Sequence, residues 1–269
     1  MLETLLAHVP LEALAVRMLA TAFVVMAVSW AVGAFGPLIG GALAGLPIIL
    51  GPGFYFLSAQ ASPAFVAQTA AYALLSLCAT QCFLLAYIAT AEKTRPWTCL
   101  AYAVGAWLLA ALVLRLLPAS ALSGGIMFVL VTGLCLRAGR RFLMPRGPAR
   151  GKAGFGLLLL RGLLAGMLVA AVTTASQWLG ATGAGLLLAF PIGYSVVAVT
   201  IHQKLGSANL IATLYAALLG TASLASFCAA LALAAAHWTA NAALAAALMV
   251  SMSLTLGLVL RRRAVAARA

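Results

Sequence analysis

Acidic residues are almost absent from this 269-residue chain. Glu3, Glu12 and Glu92 are all it has, and aspartate is missing altogether. Charged residues of both signs make up only 7% of the sequence. A water-soluble domain carries about a quarter, and so few charges cannot cover a globular surface, so a soluble enzyme or binding module is excluded. No carboxylate lies in the core of an apolar run, which leaves a carboxylate relay for protons or sodium without a candidate. The five cysteines (Cys78, Cys82, Cys99, Cys135 and Cys228) contain no CxxC pair and sit in or beside apolar runs. Neither a disulfide framework nor a metal site is therefore expected. GxGxxG, P-loop and HExxH motifs are missing too, and with them the usual phosphate, dinucleotide and zinc chemistries. His8, His202 and His237 fall on separate elements. Ser123-Gly124-Gly125, which has the look of an intramembrane serine nucleophile, has no histidine in its span. No cofactor and no enzymatic activity are expected. The N-terminus MLETLLAHVPLE lacks the basic region and cleavage site of a signal peptide.

What the chain does have is apolar length. Hydrophobic residues make up 65% of it, with a mean hydropathy of +1.16. A helix needs about 20 apolar residues to cross the hydrocarbon core. Cutting the sequence at its polar and Pro/Gly-rich punctuation leaves nine such runs: 12–35, 37–58, 64–91, 97–117, 120–138, 154–178, 181–202, 207–236 and 240–260. The net charge of +13 does not point to nucleic acid, because no basic residues interleave with aromatics and the basic residues cluster in alternate connections. With the long 5–6 connection in the cytoplasm, Lys93, Arg95, Arg137, Arg140, Arg141, Arg146, Arg150, Lys152, Lys204, Arg261, Arg262, Arg263 and Arg268 all fall on the cytoplasmic side. No external loop core carries Lys or Arg, and Glu3 and Glu12 stand at the outer end. This is the positive-inside pattern. It predicts an inner-membrane, multi-pass protein with its N-terminus outside and its C-terminus in the cytoplasm.

Displacing the sequence on itself by 144 residues reveals a repeat. Leu14, Arg17, Leu19, Val25, Ala27, Val28, Ala31, Gly36, Gly41, Leu43, Pro47 and Ile48 fall on identical residues from Leu158 and Arg161 to Pro191 and Ile192. Five spans separate equivalent positions, so each span and its copy cross in opposite directions. The expected fold is all-α: nine transmembrane helices as inverted 4+1+4 repeats. Residues 1–118 form the first repeat, 119–153 a connector helix and basic linker, 154–262 the inverted second repeat and 263–269 a basic tail. Inverted repeats are a recurring plan of secondary transporters, an argument by analogy.

Each half carries one Pro/Gly-interrupted span, GPLIGGALAGLPIILGPG at 36–53 and GATGAGLLLAFPIG at 180–193. Pro47 and Pro191 lie about 16 Å along their spans at 1.5 Å per residue. There a proline removes a backbone bond and breaks the helix, and Gly51-Pro52-Gly53 reads as a second interruption of span 2. Backbone groups freed in this way must meet protein or a water-filled cavity. The plainer alternative is that these residues are ordinary helix-packing features, with Gly36, Gly40, Gly41 and Gly45 forming GxxxG seams that could serve oligomerisation. Arg17 and Arg161 are repeat partners inside their spans. Either snorkels to the headgroups or offers a fixed charge to an anion. Candidate solute-binding residues are Gly45, Pro47, Pro191, Gly193, Arg17, Arg161, Tyr194 and Gln177, with His202 as a titratable coupling residue. Thr80, Gln81, Gln60, Gln68, Thr173 and Thr174 are further polar groups that could line a path, Gln68 and Gln81 on nearly one helical face.

The stretch GLLLAFPIGYSVVAVTIHQKLG at 185–206, followed by two apolar spans, resembles the small four-span bacterial membrane proteins of the GlpM-like kind, in which a Gly-Leu…Phe-Pro segment precedes an apolar run and a histidine. The resemblance implies a four-span unit duplicated by fusion and names no substrate. Taken together, these readings predict a secondary transporter or exporter of a small polar, conceivably anionic, solute, with the lipid bilayer as surroundings. Two alternatives remain: a non-transporting membrane scaffold, homo-oligomeric or assembled with envelope partners, and a flippase of lipid-linked substrates.

Overall fold

The computed structural model describes residues 11–34, 47–143 and 154–266. All regular structure among them is helical, with no strand. In chain order the helices are α1 (Leu11–Ala34), α2 (Leu50–Ser58), α3 (Pro63–Thr90), α4 (Pro96–Leu114), α5 (Ala121–Gly139, continued by a 3₁₀ turn to Phe142), α6 (Phe155–Thr174), α7 (Ser176–Leu188), α8 (Ile192–Ala234) and α9 (Ala240–Ala266). Six helical stretches among the described residues are long and apolar enough to cross a membrane. Leucines and valines stand exposed along their outer faces, Leu109, Leu112 and Val113 on α4 and Leu122, Val129 and Leu134 on α5 among them. That surface is incompatible with water and suited to lipid. The chain is an α-helical, multi-pass membrane-embedded protein.

Local sequence sets where these helices begin. Ser62 caps α3 by accepting from the Phe65 N–H at 3.3 Å, and Pro63 follows at the first helical position, where its missing N–H costs nothing. Ser120 and Ser123 close a reciprocal capping box at the start of α5, and Pro96 opens α4. Residues 176–234 form one 59-residue helical run. At 1.5 Å per residue it would extend about 90 Å, three times the thickness of a bilayer core, so it must be divided. Gly180 (φ 62°) and Gly206 (φ 80°) divide it, in a backbone region open to glycine and hostile to side chains. Between them the helix stops at Leu188 and restarts at Ile192.

Helix directions follow from close approaches. A Cβ on Gly166 would collide with the Met18 carbonyl oxygen, and one on Gly162 would lie 3.0 Å from the Ala22 carbonyl oxygen. Residue numbers rise along one helix as they fall along the other, so α1 and α6 pack antiparallel across a small-residue seam. By the same logic α3 and α5 run parallel, since Leu74 meets Gly124 and Gln81 meets Thr132. The α5–α8 pair is antiparallel, with Thr132 near Thr221 and Leu136 near Tyr215. α3 is the hub of the bundle. Its central turns are fully buried, with Phe83, Leu84 and Tyr87 in one apolar cluster and Leu74, Leu77 and Cys78 in another that includes Phe54 and Phe227. Phe54 and Phe227 meet with ring centroids 6.1 Å apart.

Two expectations need revising. Gly51-Pro52-Gly53 does not interrupt span 2. Helix α2 begins at Leu50 and includes it, which leaves Pro52 in the first turn, where proline is tolerated. Gln68 and Gln81 do not share a helical face: at 3.6 residues per turn their 13-residue separation leaves them about 140° apart, Gln68 exposed and Gln81 fully buried.

Candidate functional site

A cavity of about 430 Å³ opens beside the α7–α8 break. Ile48, Ile49 and Leu50 line it from the N-terminal part of the chain. Arg161 of α6, Leu188 to Pro191 at the break, and Gly193, Tyr194 and Val197 of α8 line it from the C-terminal part. Thr80 of α3, Thr213 of α8 and Thr255 of α9 add hydroxyl groups to walls that, Arg161 and Tyr194 apart, are mainly hydrocarbon. No acidic side chain is among the lining residues.

The break supplies fewer free backbone groups than a proline in mid-span suggests. The Ala189 N–H donates to Gly185 O, the Phe190 N–H to Leu187 O and the Ile192 N–H to Phe190 O. Two carbonyls of the segment are met from α3: Ser76 Oγ donates to Leu186 O at 2.8 Å and Thr80 Oγ1 to Ala189 O at 3.2 Å. Inside a bilayer such groups must be satisfied internally, and Ser76 and Thr80, one turn apart on α3, do it. Thr80 had been singled out as a path-lining group; Ser76 had not, although its four-residue spacing from Thr80 was readable. The close approach is made by Gly185, where a Cβ would strike the Thr69 carbonyl and lie 2.9 Å from the Ala73 nitrogen. Trp107 braces the break from α4, its ring edge-on to Phe190 at 4.9 Å.

The donors on the other side of the break stay open. After Ile192, the next residue of α8 whose N–H reaches back to a backbone acceptor is Ser195, to Pro191 O at 2.9 Å. Among the described residues the Gly193 and Tyr194 N–H groups have no such acceptor. Against this turn lies the half-buried Arg161, whose Nε is fully buried with no hydrogen-bond partner among the described residues. A Cβ on Gly193 would stand 3.4 Å from both Nε and Nη2, so the guanidinium packs directly against the first turn of α8. The positive end of a helix dipole and an arginine thus face the same space.

Of the sequence-derived candidates, Arg161, Pro191, Gly193 and Tyr194 come together here. Pro47 is buried and directly precedes the lining residue Ile48. Gly45 lies outside the described residues. Arg17 is elsewhere, held by neutral partners: Nη1 donates to Thr173 Oγ1 at 3.4 Å and Thr174 Oγ1 at 3.3 Å, and Nη2 to Gln60 Oε1 at 2.8 Å. Gln60 in turn donates to the Thr173 carbonyl. The repeat partners Arg17 and Arg161 therefore have different surroundings. Gln177 is exposed in the first turn of α7 and is not a lining residue. His202 lies away from the cavity, its ring 6.0 Å from that of Tyr87 and its buried Nδ1 without a partner among the described residues. Gln81 is buried where α3, α5 and α8 meet, its Nε2 within 2.6 Å of Thr132 Oγ1, 2.9 Å of Thr221 Oγ1 and 3.1 Å of Leu218 O. It joins helices and does not line the cavity. No family model matches the chain, and neither a curated protein nor a solved structure is similar to it.

Proposed function

We propose that this protein is a secondary transporter or exporter of a small solute, nine-spanning and built from inverted 4+1+4 repeats. Its N-terminus lies outside and its C-terminus inside a bacterial-type inner membrane. The observation that carries the reading is the cavity at an interrupted helix, walled by Ile48–Leu50 from one half and by Arg161 and the α7–α8 break from the other. Membrane-buried sites at a repeat interface, formed by discontinuous helices, are characteristic of transporters.

Several features support the repeat. Helices α1, α3 and α4 begin at residues 11, 63 and 96. The same 144-residue displacement found in the sequence lands on the starts of α6 at 155 and α9 at 240, and on residue 207, just past the Gly206 break. That displacement also carries Met18 to Gly162 and Ala22 to Gly166. The contacts Met18–Gly166 and Ala22–Gly162 are therefore exchanged, as a twofold axis between two copies requires. The antiparallel course of α1 and α6 is what an inverted duplication needs. The positive-inside distribution of the basic residues supports the orientation, and a fused pair of GlpM-like four-span units would have this plan.

Alternating access makes the cavity reachable by water from one side at a time. Single cysteines at Ile49, Leu188 and Val197, probed with a membrane-impermeant maleimide in right-side-out and inside-out vesicles, test this. Labelling from at least one side is expected at all three positions. Absence of labelling from both sides at all three would mean a dry, packed interface and would overturn the transport reading.

A further inference from the structure

We infer that the cavity takes an organic monoanion with an apolar body, its anionic head seated between the Arg161 guanidinium and the first turn of α8. The inference rests on the transport reading for its biological role and on separate observations for its chemistry.

The first observation is electrostatic. A guanidinium stays charged at any physiological pH, and an uncompensated charge in low dielectric is costly. Arg161 makes no ion pair among the described residues, and its buried Nε has no acceptor. Its neighbour does not relieve this. The α8 N-terminus carries the positive end of a dipole, and its Gly193 and Tyr194 N–H groups find no backbone acceptor among the described residues. Two positive groups turned toward one space, the guanidinium within contact distance of the Gly193 backbone, are stabilised together by an anion. A carboxylate fits the planar donor fork of arginine, and N–H groups at a helix terminus bind the same chemistry.

The second observation sets the charge number and the body. Arg161 is the one cation among the described residues that line the cavity, so a single negative charge is neutralised and a second would be left without a cationic side chain. The lining also includes Ile49, Leu77, Leu188, Phe190 and Val197, hydrocarbon surfaces that reward burial of apolar area and offer a sugar or a polyol little to bond. The volume of about 430 Å³ accommodates a compact aromatic or short aliphatic acid.

The test is equilibrium binding to the purified full-length protein in nanodiscs, read as the shift in thermal unfolding midpoint against ligand concentration. The probes are benzoate and hexanoate, with benzamide as the neutral isostere and inorganic phosphate as an anion without a body. Benzoate and hexanoate should stabilise the protein with saturation, and benzamide and phosphate should require at least tenfold higher concentration. Arg161→Gln should weaken benzoate at least tenfold, and Arg161→Lys should lose less, since it keeps the charge without the fork. Gly193→Leu, whose atoms beyond Cβ must enter the space between the guanidinium and the α8 turn, retains every charge and should weaken benzoate severalfold, which provides a second reading if Arg161→Gln fails to fold. Equal stabilisation by benzamide and benzoate, or undiminished benzoate binding in either folded variant, would overturn the inference. Flux in liposomes separates the two proposals. Benzoate binding without flux of any solute defeats transport and leaves the anion site standing, whereas flux of a neutral or cationic solute without benzoate binding does the reverse.

Discussion

Single glycines decide how closely these helices approach, and the cost of replacing each follows from what a new methyl group would strike. At Gly166 it would strike the Met18 carbonyl, a backbone atom that cannot rotate aside, so α1 and α6 would have to separate. Gly166→Ala should lower stability by about 1–3 kcal/mol, the usual cost of forcing extra volume into a packed contact. At Gly105 in α4 nothing lies within 4 Å, and Gly105→Ala should be neutral or gain up to about 1 kcal/mol from helix propensity. Thermal unfolding of both variants in one detergent checks the pair, and equal shifts would remove the seam from the account. The spacing Gly162–Gly166 was open to view in the sequence. It says that some helix comes close, and not which one, because the partner Met18 is nearly 150 residues away. The two arginines show the same limit. Their place in the repeat is identical, yet Arg17 is matched to Gln60, Thr173 and Thr174 while Arg161 faces a cavity. That difference belongs to neighbours brought in by the fold.

Among the helices, the interrupted α7–α8 segment is held open by another helix. Ser76 and Thr80 reach from α3 to the carbonyls of Leu186 and Ala189, which would otherwise lack donors in a medium that supplies none. Ser76→Ala together with Thr80→Val should lower the unfolding midpoint, by about 0.6–2 kcal/mol for each lost bond. Thr200→Val is the matched control, since that hydroxyl bonds only the Val196 carbonyl of its own helix at 2.8 Å. A loss no greater in the double variant than in the control would show that the break does not depend on these hydroxyls. The interruption near Pro191 was legible from sequence because a mid-span proline has few other outcomes. The one assigned to Gly51-Pro52-Gly53 was not, because the effect of a proline depends on where its helix begins. With α2 starting at Leu50, the residue that would break a helix interior becomes one that suits a first turn.

Across the whole chain, nine crossings with the termini on opposite sides is a claim about parity, and parity can be measured without knowing the solute. The periodic apolar runs located the helices well, since length and hydropathy alone set what can span a bilayer. They said less about residues 176–234, a stretch of 59 residues that is interrupted between Leu188 and Ile192 and contains turns that glycines at 180 and 206 make possible. The expected sidedness follows from counting those turns. The connections after α4 and after α8 should both be external, and those after α3 and at Gly206 cytoplasmic. Cysteines placed singly at Ala119, Thr239, Thr94 and Gly206, in an otherwise cysteine-free chain, separate the cases in intact cells. Ala119→Cys and Thr239→Cys should react with a membrane-impermeant maleimide from outside, whereas Thr94→Cys and Gly206→Cys should react only after permeabilisation. Were Ala119→Cys and Thr239→Cys to label from opposite sides, an odd number of crossings would separate them in place of the four expected between α4 and α9. The two halves would then face the same way, and the shared midplane site would lose the symmetry that motivates it.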